Sequence, residues 1–153
     1  MVDIIRAGYD QLIRAPTKTI TFTGGAGAGA VGSAVTIWTL TGRVMLFHIT
    51  CFCTTTVVST AGTGTIALGV ATTTSAFVST TTMGAGTLAA NDWWNGANST
   101  PAEIGQEILP FSAGAPQTLN ESIIITVATN AITSGVLVFD CWYRSLTTGG
   151  SLS

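Results

Sequence analysis

From Pro16 to Leu146 the apolar side chains recur at every second position, and glycines or polar clusters break each run after a few residues. Thr17-Lys18-Thr19-Ile20-Thr21-Phe22-Thr23 sends Ile20 and Phe22 one way and its threonines the other, the pattern of a strand with one face buried. Thr63 to Ala71 repeats it with Ile66, Leu68 and Val70. Ser122 to Thr129 does so with Ile123, Ile125 and Val127, and Val136 to Leu146 with Leu137, Phe139, Cys141 and Tyr143. A helix would scatter these side chains around its circumference, whereas a sheet collects them on one face.

Two further segments, Val35 to Thr41 and Arg43 to Cys53, read as strands broken at Thr41-Gly42. In the second, Met45, Phe47, Ile49, Cys51 and Cys53 share one face and Val44, Leu46, His48, Thr50 and Phe52 the other. A strand apolar on both faces is central or covered by a neighbour. Shorter strands are predicted at Ser75 to Thr81 and around Leu88 to Trp94, and Asn130 to Gly135 has the length and chemistry of a hairpin loop. Thr100-Pro101-Ala102-Glu103 fits a capping box that opens a single helical turn before Gly105. Eight or so short strands with glycine-bearing turns predict an all-β antiparallel sandwich or jelly roll.

The first sixteen residues follow a different rule. Val2, Ile5, Tyr9, Leu12 and Ile13 fall at helical spacing, Arg6, Asp10 and Arg14 share another face, and Ala15-Pro16 supplies a stop. The predicted organisation is a short amphipathic arm over 1–16, one sandwich domain over 17–146 and a flexible polar tail over 147–153. Length agrees with one domain, since 153 residues support a core without staples.

Charged residues make up 8% of the chain against a usual ~25%, while threonine occurs 28 times and glycine 18. A net charge of -2 gives little protection against association. The inference is a surface covered by other subunits, in a homo-oligomer or a larger particle. Membrane insertion does not fit. Thr54 to Asn91 is free of charge but consists largely of Thr, Gly, Ala and Ser, without the ~20 apolar residues that span a bilayer. No apolar segment of the kind a signal peptide needs follows Met1, so the expected site of synthesis is a cytoplasm. Cys51, Cys53 and Cys141, odd in number and lacking a CxxC pair, are expected as free, buried thiols.

Catalytic constellations are scarce. His48 is the single histidine and no serine occupies a Gly-x-Ser-x-Gly elbow. The carboxylates Asp3, Asp10, Asp92, Glu103, Glu107, Glu121 and Asp140 are spread thinly, and Asp140 with Arg144 reads as an ion pair on one strand face. Cys51, Cys53 and Cys141 could share one core face, but Cys-x-Cys on a strand lacks zinc spacing and His48 has the opposite parity. Gly27-Ala28-Gly29-Ala30-Val31-Gly32 matches a dinucleotide fingerprint in letters only. The strand-like Val35 to Thr41 follows it where a helix should, and no acid lies between Asp10 and Asp92. Five cations are too few for nucleic-acid binding. No enzyme activity, cofactor or metal is expected.

Two groups remain as contact candidates. Ile5, Arg6, Tyr9, Leu12, Ile13, Arg14 and Lys18, in or just after the arm, suit docking on another protein surface. Trp93 and Trp94 point to opposite faces by alternation, so one can enter the core while the other meets a neighbouring subunit. Either could instead stack on a sugar beside Asp92 and Asn95, as in a carbohydrate-binding sandwich.

An N-terminal segment leading into Thr19-Ile20-Thr21-Phe22, then Leu40-Thr41-Gly42-Arg43-Val44, Thr65-Ile66-Ala67-Leu68-Gly69-Val70 and a Trp-Trp ahead of the expected final hairpin together resemble small β-rich virion proteins of tailed bacteriophages. The resemblance covers most of the chain and rests on strand texture, with no catalytic or binding signature to carry over. It implies a capsid decoration or cement protein: a β-sandwich, often trimeric, on the capsid exterior, bridging subunits of the major capsid protein. A head fibre, head-tail or tail component is the alternative within the same class.

Overall fold

Two long strands form the spine. The computed structural model describes residues 12–25, 27–84, 87–94 and 116–153. Within it β5 (Val44–Ser59) and β10 (Ile132–Ser145) pair antiparallel along nearly their whole lengths. Both bury alternate residues: Leu137, Phe139, Cys141 and Tyr143 of β10 face the core opposite Cys53, Cys51, Ile49 and Leu46 of β5. Β-branched and aromatic residues dominate both strands, as a pleated, half-buried surface demands.

The two-faced reading of β5 needs one correction. Val44 and Leu46 point inward together with Ile49, Cys51 and Cys53, because Leu46 pairs with Tyr143 while His48 pairs with Trp142. Phe47 is therefore an extra residue, and this bulge sets the parity of His48 to Cys53 against that of Val44 to Leu46.

Around the spine the first sheet adds β1 (Ile13–Arg14) and β2 (Lys18–Thr21) beside β10, and β8 (Gln117–Leu119) beside β5. The second sheet runs in the order β3 (Ala34–Trp38), β9 (Ile123–Ala128), β6 (Thr65–Val70) and β7 (Thr73–Thr82). If β1 and β2 count as one strand, the main strands pair first with last, second with seventh, third with sixth and fourth with fifth. The middle pairs, β5 with β10 and β6 with β9, join them into two sheets. That order is a jelly roll, so the predicted all-β antiparallel sandwich is the fold.

The core lies between the sheets. Trp38 of β3 meets Phe139 of β10 edge-on, with ring centroids 6.3 Å apart, and both are fully buried. The Trp38 indole N–H donates to the Pro16 carbonyl at 2.8 Å, which satisfies its polar atom.

Several boundaries differ from the sequence reading. Ile13 and Arg14 form a strand on Tyr143 and Trp142, not the end of a helix; the rest of the arm, 1–11, lies outside the described residues, as does the capping box at 100–103. Leu88 to Trp94 is an irregular segment along the edge of β5, with Asn91 in the left-handed region and one bridge at Trp93. Asn130 to Gly135 makes no hairpin: β9 and β10 belong to different sheets, and the chain crosses from one to the other after Thr129, which also has positive φ. Gly135, at φ 130°, lets β10 approach β5 so closely that a Cβ there would lie 2.7 Å from the Val57 Cα.

The final residues are pinned. Β4 (Leu40–Thr41) pairs with β11 (Ser151–Leu152), Thr39 and Ser153 exchange two backbone hydrogen bonds, and Leu152 is buried. Leu152→Ala should therefore cost about 2–4 kcal/mol, as for other buried leucines. A lower urea midpoint with unchanged m-value would register it, and an unchanged midpoint would mean that the tail contributes nothing.

Candidate functional site

The outward face of the first sheet gathers side chains that ordinary solvent-facing strands lack. Trp142 takes the outward parity of β10 because Cys141 and Tyr143 are buried on either side of it. Across the sheet its register partners are Arg14 on β1 and His48 on β5. The His48 ring sits 4.3 Å from the Trp142 ring at a 39° tilt, and the Arg14 guanidinium lies 5.7 Å from the Trp142 centroid.

One step along the same face, Asp140 binds the edge strand. Its Oδ1 accepts from Arg14 Nη2 at 2.6 Å and from Thr17 Oγ1 at 2.6 Å. The ion pair is thus Asp140 with Arg14, across strands, and not Asp140 with Arg144 along one strand as the sequence suggested. Partners on adjacent strands are closer than residues four apart on one strand. Further along, Val138 pairs with Phe52, and Phe52 packs on Trp93 at 4.9 Å.

Trp93 and Trp94 separate as alternation requires. Trp93 stays half-buried beside Phe52, whereas Trp94 enters the core and donates its indole N–H to Thr81 Oγ1 at 3.1 Å. Trp94 is therefore unavailable for stacking on a sugar, and Asp92 is engaged too, since its Oδ2 accepts from the Ala89 N–H at 2.7 Å. Asn95 lies outside the described residues.

Of the arm candidates, Ile5, Arg6 and Tyr9 lie outside the described residues. Leu12 is half-buried, Ile13 is 44% exposed and Arg14 is exposed. Lys18 pairs with Phe139 and so takes inward parity at the sheet edge, away from Arg14's face. Trp142, His48 and Phe52 were not singled out from sequence as contact residues. The parity of Trp142 was readable from Cys141 and Tyr143, but its neighbours depend on strand order.

The other chemistry-bearing groups hold the fold. Glu121 accepts from the Thr72 hydroxyl at 2.6 Å and the Thr72 N–H at 2.9 Å, which holds its carboxyl below the ordinary value. Gly27, Gly29 and Gly32 all have positive φ in the loop before strand β3, so the glycine pattern serves a turn, with no helix for a phosphate to cap. Among the described residues no group of three or more His, Cys, Asp or Glu is placed to hold a metal.

No protein-family model and no curated protein matches this chain. Among solved structures it is similar to a chain of the capsid asymmetric unit of cyanophage Pam1, at 20% identity and a TM-score of 0.51, over 87% of this chain and 84% of that one. What the two share is the fold.

Cys51, Cys53 and Cys141 are free and buried, as expected from sequence. Desolvation raises all three thiols, Cys53 to about 11 with the nearby Asp92 charge adding to it. Below the ordinary thiol value of ~8.5 both states keep these protons; above it the unfolded chain loses them first, so stability falls as pH rises. Replacing all three by alanine should flatten that alkaline decline in urea titrations. Iodoacetamide at pH 8 should label none of the three in the native protein and all of them in urea, read by intact mass.

Proposed function

We propose that this chain is a structural component of a bacteriophage virion: a capsid decoration protein that assembles as a homo-oligomer, a trimer, and binds the major capsid protein on the outside of the head. The observation that carries this reading is a jelly roll similar, over most of its length, to a chain of a phage capsid asymmetric unit. Fold alone does not fix function, so the surface has to agree with it. It does so in two ways.

The strands of the second sheet, β3, β6, β7 and β9, carry no charged residue at all. The first sheet presents aromatic rings and arginine outward. A free monomer needs neither arrangement, whereas a subunit fixed in a lattice can use both.

Quantitative mass spectrometry of purified particles tests the reading. A decoration protein should be present on the order of hundreds of copies; a dozen or fewer would point to a head fibre, head-tail or tail component, and absence would remove the virion role. The arm's part is tested by deleting 1–11, which leaves Leu12 and β1 in place. The truncated chain should fold and fail to join particles, and full incorporation would take the contact role from Ile5, Arg6 and Tyr9.

A further inference from the structure

We infer that the outward face of the first sheet, centred on Trp142, is the docking surface for a protein partner that presents carboxylates around an apolar patch. This rests on the reading above, that the chain attaches to a particle, and it names the face and the chemistry of what is bound.

Side-chain type on this face is the first ground. Met45, Phe52, Trp93, Trp142, Arg14 and Arg144 take outward positions on β5, β10, β1 or the segment beside β5, and no lysine or glutamate joins them among the described residues. Those types are enriched at the centres of protein interfaces, where lysine and glutamate are depleted. Arg144, exposed and paired in register with Met45, sits two residues beyond Trp142 on the same strand and face.

Charge chooses the occupant. Two described cations, Arg14 and Arg144, stand on this face, and its carboxylate beside Trp142, Asp140, is neutralised by Arg14, so that Arg144 adds a further positive charge. The surplus is positive, so a partner with carboxylates is steered to it and held. A second copy docking through the same face about a two-fold axis would bring two faces of the same positive sign together, which opposes that pairing.

Sugar and nucleic acid fit less well. The rings lean on each other, at 39° for His48 and Trp142 and 55° for Phe52 and Trp93, instead of offering free parallel faces, and Asp140 is already bonded to Arg14 and Thr17.

The test uses shells of the parent particle lacking this protein, with binding of the purified full-length chain measured by co-sedimentation. Trp142→Ser and Arg144→Glu should each weaken binding at least tenfold while keeping the wild-type circular dichroism and melting cooperativity. Arg144→Lys should restore most of the binding, and added salt should weaken the wild-type complex. Val31→Glu and Thr60→Glu, in exposed turns outside both sheets, are the controls and should bind as wild type.

If the control substitutions abolish binding and the first-sheet ones do not, the face is wrong although the particle role stands. If the wild-type chain ignores the shells, the particle role fails and this inference with it. A wild-type dimer that Trp142→Ser splits would make the occupant a second copy. Tight binding of a mixed-sequence single-stranded oligonucleotide, lost in Arg144→Glu, would overturn the choice of a protein partner.

Discussion

The pairing of β5 with β10 is the constraint on which the rest depends. It places the inward residues of two long strands, Leu46, Ile49 and Cys51 against Tyr143, Cys141 and Phe139, in one continuous layer. Trp38, Ile123 and Ile125 close over that layer from the second sheet. The same pairing leaves the alternate residues of both strands facing outward in register, which is how His48 comes to lie on Trp142 and Phe52 beside Val138. Core and candidate surface are thus two sides of one ladder.

Strand content was legible in the sequence because alternation is a local property: Ile20, Leu137, Ile123 and their neighbours declare their faces without reference to a partner. Strand order was not. Β9 and β10 follow each other closely and both alternate cleanly, so a hairpin was the natural expectation, yet the chain turns a corner at Thr129 and changes sheet. Bulges are hidden for a related reason. The single extra residue at Phe47 is visible only against the fixed spacing of Trp142 and Tyr143, and without that reference the parity of Val44 and Leu46 came out reversed.

The candidate surface divides along the same line. Separation of Trp93 from Trp94 needed only their adjacency, and it survives as one half-buried and one fully buried ring. Asp140 was recognised as an ion-pair former, but its partner came from a strand more than a hundred residues earlier, a distance along the chain that no local pattern bridges. Ser151 and Leu152 look like tail because nothing near them alternates; their strand exists only because Leu40 and Thr41 lie alongside.

The pairing of β5 with β10 also sets a schedule for synthesis. Β5 is complete when Ser59 leaves the ribosome, but β10 does not begin until Ile132. At ~5–20 residues per second the interval is on the order of ten seconds. Throughout it, Ile49, Cys51 and Cys53 lack the strand that will flank them, on a nascent chain whose stretch from Thr54 to Asn91 has no charge to keep it from its neighbours. The strongest selection on such a sequence can therefore fall before any native contact exists, and the many threonines, polar yet strand-forming, suit that exposed interval as well as they suit the finished sheet.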